Sequence, residues 1–145
     1  MKSTPVAPKQ TVFHLTLPSS PKHIDRVEKF VNKVKHNIHL DEIQTHKLMV
    51  SLTEAVNNAI IHGNKSDPAK KVSVLCELLP GWLLFIVSDQ GRGFRLRKVG
   101  NPILKKNMLR ESGRGIFLMR TLMDRVEFEM KSSGMQVSLW LNLNK

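Results

Sequence analysis

The chain predicts an α/β (α+β) two-layer sandwich: a mainly antiparallel sheet with helices on one face. Three observations carry this. Strand-like segments at 72–79 and 82–88, and again at 126–130 and 136–143, are each joined by a short turn, and tight turns join antiparallel strands. Two other segments, near 24–35 and 41–63, repeat their apolar residues at helical spacing. In the resulting order β-α-α-β-β-loop-α-β-β, hairpins build the sheet and the helices gather on one of its faces.

Taken in order, residues 1–10 are expected to form a flexible leader, and residues 11–145 a single domain, a length that suits one full hydrophobic core. Val12 to Leu17 alternates and reads as a strand. Pro18-Ser-Ser-Pro21 breaks it, with Ser20 as helix N-cap and Pro21 in the first turn. Ile24, Val27, Phe30, Val31 and Val34 carry that helix to about Lys35. Asp41 caps a second helix through Leu48, Leu52, Ala55, Val56 and Ala59, which Gly63 ends. Pro80-Gly81 turns the first hairpin and Ser132-Ser-Gly134 the second, with a short helix from Gly115 to Asp124 between them. From Gly91 to Gly113 periodicity disappears, and a long irregular segment in a compact domain is usually functional.

Composition narrows the function classes. No apolar run reaches the ~18 residues that cross a membrane, and the N-terminus lacks the apolar core of a signal peptide. The lone Cys76 forms no internal disulfide, and no Cys/His cluster has zinc spacing, so a soluble cytoplasmic protein is expected. The net charge of +11 fits an acidic partner, a nucleic acid or a membrane surface, and equally a solvated basic surface. The absence of tyrosine and the scarcity of aromatics argue against a base-stacking platform. The densest basic cluster, Arg92 to Lys98 with Lys105, Lys106 and Arg110, lies between two glycine motifs, where it can line a phosphate site.

Three motifs carry chemistry. Glu54, Asn58 and His62 are spaced four apart, and so form one stripe on the second helix beside its apolar face. A carboxylate there can take a proton from a hydroxyl, and a carboxamide one turn on can hold magnesium through its hard oxygen. The same stripe also suits a solvated helix edge. In Asp89-Gln-Gly91-Arg-Gly93-Phe94 an apolar strand delivers an aspartate into a flexible turn. Its carboxylate can accept from an exocyclic amine, and its glycines admit a close ligand, although a plain Asp-x-Gly turn has the same pattern. Ser112-Gly113-Arg114-Gly115 opens a helix, whose free N–H groups suit phosphate or a simple cap. Arg110 and Arg114 flank that turn and can pair with phosphate oxygens. The Walker phosphate loop is absent.

On these motifs the chain resembles the GHKL ATPases, and within them the bacterial anti-sigma-factor serine/threonine kinases. The stretch from Glu54 to Gly63 matches the N box, Asp89 to Gly93 the G1 box, and Gly113 to Asp124 the G2 box with its Leu-Met-Asp ending. The resemblance implies the Bergerat ATP-binding fold with a mixed, mainly antiparallel sheet. It implies Glu54 as general base and Asn58 as magnesium ligand. Asp89 is implied as reader of the adenine amine, and Gly91, Gly93 and Phe94 as shaping its pocket. Gly113, Arg114, Gly115 and Arg110 are implied at the phosphates, His62 near the nucleotide, and residues 95–112 as an ATP lid. It further implies ATP and Mg2+ as cofactors, a sigma factor and its anti-anti-sigma antagonist protein as partners, a homodimer, and no direct binding of nucleic acid or membrane. Two departures stand out: Met135 follows Gly134 where the family often has threonine, and Glu111 stands where some relatives have arginine. Two other activities share these motifs. One is an ATP-binding regulatory module that acts by contact alone; the other is a detached histidine-kinase catalytic domain, which needs a phospho-acceptor histidine on another chain.

Overall fold

The computed structural model describes residues 10–91 and 114–144. The expected lid at 95–112, and the expected leader apart from Gln10, lie outside the described residues. Strand β1 (Gln10–Pro18) leads into helices α1 (Asp25–Ile38) and α2 (Glu42–Asn58), then strands β2 (Lys71–Leu79) and β3 (Trp82–Ser88). Helix α3 (residues 114–122) precedes strands β4 (Arg125–Lys131) and β5 (Gly134–Asn142). The sheet order is β1-β2-β3-β5-β4, and each of these pairings is antiparallel. The last hairpin therefore enters with β5 against β3. Its register sets Ser88 opposite Gln136, which brings the start of β5 beside the chain leaving β3.

The first helix departs from the sequence expectation at both ends. Pro21–His23 forms a separate 3-10 turn, the Ser20 side chain makes no capping bond, and the α-helix begins only at Asp25. A proline-fixed φ is as compatible with a tight turn as with the first α-turn, so the sequence sets the start of the turn and not its type. At its far end α1 runs past Lys35 to Ile38, because no breaker intervenes before His39 adopts a left-handed conformation (φ 63) and donates its N–H to the Lys35 carbonyl. Helix α2 starts as expected. The Asp41 carboxylate accepts from the Gln44 N–H at 2.7 Å and the Gln44 side chain accepts from the Asp41 N–H at 3.0 Å, a reciprocal capping box.

Both helices lie on one face of the sheet. Val27, Phe30, Val31 and Val34 of α1 and Leu48, Leu52, Ala55 and Val56 of α2 share one core with Val72, Val74 and Cys76 of β2, Leu83, Phe85 and Val87 of β3, and Val137, Leu139 and Leu141 of β5. Met119 of α3 joins the same core. Burial pushes the Cys76 thiol up to about 12, with the neighbouring Glu77 charge adding to the shift, so Cys76 behaves as a small apolar residue. At the centre Phe85, with no exposed surface, meets Phe30 edge to face at 6.2 Å. Phe85→Ala is expected to cost about 3–5 kcal/mol, read by denaturant unfolding; a loss below about 1 kcal/mol would show that this contact does not anchor α1 to the sheet.

Candidate active site

The site is built where the end of α2, the end of β3, the start of β5 and the start of α3 converge. Glu54 and Asn58 stand one turn apart on α2, both half-buried, so each can present a polar head at the margin of the core. After Asn58 the helix widens into a π-helical turn, Ala59–Gly63, and the Asn64 N–H closes it on the Ala59 carbonyl at 2.8 Å. A wider turn advances less per residue than an α-turn. His62 is therefore rotated relative to Glu54 and Asn58, and the four-residue stripe expected from the sequence holds for Glu54 and Asn58 but changes bearing at His62. His62 is half-buried.

The widened turn delivers Gly63 against Asp89. A side chain on Gly63 would collide with the Asp89 carboxylate, and one on Gly91 would collide with the Gly63 carbonyl, so this approach of backbone to carboxylate requires glycine at both positions. Asp89 is 8% exposed. Its Oδ1 accepts from the Gly91 N–H and the Met135 N–H, each at 3.0 Å, while its own N–H donates to the Met135 carbonyl at 3.1 Å. Among the described residues Oδ2 takes no hydrogen bond, which leaves one carboxylate oxygen to meet a donor from outside. Burial pushes the Asp89 carboxyl above its ordinary range, against the smaller opposing pull of the Met135 and Gly91 N–H groups and of Lys70.

The start of α3 lies against the other end of this line. A side chain on Gly115 would come within 2.7 Å of the Glu54 Oε2, so the helix start stands close against this carboxylate, and a larger residue there would push the Glu54 head aside. Arg114, one residue earlier, is exposed. The described residues thus bring Glu54 and Gly115 together, and Gly63, Asp89 and Gly91 together, with Asn58 between the two groups on α2. Gly93, Phe94, Arg110 and Gly113 lie outside the described residues. Two participants were not expected. Met135 contributes a main-chain donor to Asp89 where its side chain departs from the family pattern. Asn64, which directly follows the helix stop at Gly63, is fully buried. Neither carries a sequence signal, since one acts through its backbone and the other follows a helix stop.

The donor set fits a purine nucleotide and a hard cation. A carboxylate oxygen of the nearly buried Asp89 that is left to a donor from outside suits the exocyclic amine of adenine. One carboxamide oxygen is enough for magnesium, which keeps several waters and takes its other ligands from phosphate. The sequence comparisons agree. The model of the histidine kinase-like ATPase domain matches residues 17–141. The chain belongs to that family. Within it, the chain is 32% identical to serine-protein kinase RsbW of Bacillus licheniformis, over 88% of this chain and 83% of the relative. It is 30% identical to RsbW of Staphylococcus epidermidis, over 90% and 86%, and 27% identical to RsbW of Bacillus subtilis, over 90% and 84%. Among solved structures, the RsbU and RsbW domains of a Mycobacterium tuberculosis protein superpose with a TM-score of 0.68 at 17% identity, which shows the shared fold. That alignment covers 92% of this chain and 32% of the other. A histidine kinase-like ATPase domain uses ATP, and no helix among the described residues is long and apolar enough to cross a membrane.

In this ATPase domain the buried Asp89 sets a stability cost. Its carboxyl is raised in the fold, so its contribution to stability is fully present below the unfolded carboxylate pKa of about 3.9 and is lost as pH rises through the raised folded value. Asp89→Asn keeps the Oδ1 acceptor for both N–H groups and removes the buried charge. Its melting midpoint at pH 7 is therefore expected to equal or exceed that of the wild type, with the gap closing as pH falls towards 4. A variant markedly less stable at pH 7 would contradict this account.

Proposed function

We propose that the chain is an anti-sigma regulatory factor with ATP-dependent serine/threonine protein kinase activity, carried by one domain over residues 11–145. It phosphorylates an anti-anti-sigma antagonist in a partner-switching pathway in the cytoplasm and acts as a homodimer. The observation that carries the kinase reading is the succession of groups along α2 and the π-helical turn that follows it. Glu54 stands against the helix start at Gly115, Asn58 follows one turn on, and Gly63 ends the succession against Asp89. The family match and the relatives named as serine-protein kinases support the same reading.

In this reading Asp89 accepts the adenine amine on Oδ2 while its backbone donors fix Oδ1. Gly91, Gly93 and Phe94 border the base, and His62 stands near the nucleotide. Gly113, Arg114 and Gly115, with Arg110, hold the phosphates at the start of α3, where free N–H groups and the helix dipole favour negative charge. Asn58 supplies its carboxamide oxygen to Mg2+. Bound magnesium screens the phosphate oxygens and lowers the charge repulsion facing an incoming hydroxyl. Glu54 takes the proton of the target serine or threonine as its oxygen bonds to the γ-phosphorus; the bond to the β-phosphate oxygen breaks and ADP leaves. Most of the acceleration comes from positioning and charge stabilisation, so the base contributes a minor share.

The test is transfer of labelled phosphate from ATP to a purified anti-anti-sigma antagonist protein. Glu54→Gln should keep ATP binding and lose on the order of 10²–10⁴ in transfer rate. Full transfer by that variant would remove Glu54 as the base, and intact partner switching without transfer would favour a contact-only ATP-binding module. Acid-labile phosphate on the target would instead indicate a histidine-kinase type of reaction. Asn58→Ala should abolish the gain in ATP affinity that magnesium gives while leaving magnesium-free binding in place, measured by titration calorimetry.

A further inference from the structure

Asn64 is fully buried and polar, and its side chain is almost saturated. Its Nδ2 donates to the Ser19 Oγ at 2.6 Å and to the Lys71 carbonyl at 3.0 Å. Its Oδ1 accepts from the Gln90 N–H at 2.7 Å. The partners are themselves tied together: the Ser19 Oγ and N–H both donate to the Lys70 carbonyl, at 2.9 and 3.0 Å, and the Gln90 Oε1 accepts from the Lys71 N–H at 2.6 Å. One carboxamide thus joins the exit of β1, the entry of β2 and the residue that follows Asp89. An amide is the side chain that suits this place, because it offers two donors and an acceptor without bringing a charge into the interior.

The location gives this latch a role beyond stability. Asn64 is bonded to Gly63, whose Cα lies against the Asp89 carboxylate. Through Oδ1 it also holds Gln90, and the next residue, Gly91, supplies one of the two N–H groups that orient the same carboxylate. The two walls that fix the direction of Asp89 Oδ2 are therefore both held by Asn64, one through the chain and one through a hydrogen bond. We propose that Asn64 is a positioning residue for nucleobase discrimination: it aims the Asp89 carboxylate so that a purine presenting an amine is accepted and one presenting a carbonyl is refused. This rests on the reading of Asp89 as the adenine acceptor. Adenine offers an N6 amine where guanine offers the O6 acceptor, and a buried, correctly aimed acceptor turns that difference into selectivity.

The test compares ATP and GTP affinities, by calorimetry well below the melting range, in the wild type and in Asn64→Ala, Ser19→Ala and Asp89→Asn, with melting midpoints recorded alongside. Asn64→Ala is expected to weaken ATP binding on the order of tenfold and to narrow the ATP-over-GTP ratio by a similar factor, as small misplacements of binding groups do. Ser19→Ala, which removes one acceptor from the amide and leaves Asn64 and Asp89 in place, is expected to narrow the ratio less. A lowered midpoint with an unchanged ratio in Asn64→Ala would overturn the proposal and leave Asn64 a purely structural residue. If Asn64→Ala does not fold, an unchanged ratio in Ser19→Ala overturns it. A collapsed ratio in Asp89→Asn with a wild-type ratio in Asn64→Ala strikes Asn64 alone; a wild-type ratio in Asp89→Asn removes the adenine reading and Asn64's role with it.

Discussion

The region where α2, β3, β5 and α3 converge is arranged around a carboxylate held below the surface. Asp89 sits at the end of the core strand β3, so its burial follows from the strand's own position in the sheet. A buried carboxylate is tolerated only when hydrogen bonds repay part of its lost hydration. Two main-chain N–H groups do this, from Gly91 within the same turn and from Met135 across the sheet. The second donor is available only because β5 pairs with β3 in a register that sets Gln136 opposite Ser88. The strand order β3-β5-β4 is thereby linked to the chemistry. An alternative pairing of the last hairpin would leave Asp89 with one donor and a charge that the interior could not hold.

The glycines follow from the same constraint. With Asp89 turned inward, the end of α2 must pass within contact distance of it, and a Cβ at Gly63 or at Gly91 would occupy space already filled. The π-helical turn at Ala59–Gly63 brings the backbone there. Such turns interrupt an otherwise regular helix at a local cost, and they recur at functional sites for that reason. Here the interruption falls after Asn58 and takes in His62, so Glu54 and Asn58 keep α-helical spacing and the distortion is confined to the part that meets Asp89.

Legibility in the sequence divides along the range of the interactions. The α2 cap is readable because Asp41 and Gln44 are three residues apart, and the strands because alternation and tight turns are local signals. Asp89 was readable as an acceptor because an apolar strand and two glycines frame it. Its grip by Met135 was not, since a main-chain donor leaves no trace in residue type and depends on a register set 46 residues away. Asn64 was unreadable for a related reason. A polar residue after a helix stop looks like loop, and only the folded chain brings Ser19, Lys71 and Gln90 around it. The start of α1 was misplaced because Pro21 supports a 3-10 turn as readily as an α-turn.

The spacing of the motifs along α2 has a physical consequence of its own. Glu54 marks one end, against Gly115 at the start of α3, and Gly63 marks the other, against Asp89. Nine residues separate them, at most roughly 13 Å at the α-helical rise of about 1.5 Å per residue, and somewhat less because the wider turn at Ala59–Gly63 advances less. That is comparable to the span from the base to the terminal phosphate of an extended nucleoside triphosphate. In the proposed reading the helix therefore acts as a rigid spacer: it fixes the distance between the carboxylate that reads the base and the carboxylate that meets the target hydroxyl, with Asn58 between them where the phosphates pass. A helix packed along one face against the core, with Leu48, Leu52, Ala55 and Val56 buried, holds that distance against thermal motion better than a loop could. The two carboxylates also sit in different surroundings, one buried and gripped by backbone donors, the other half-buried at the end of a polar stripe. In the proposed reading that difference suits one as a fixed acceptor and leaves the other accessible to the target hydroxyl.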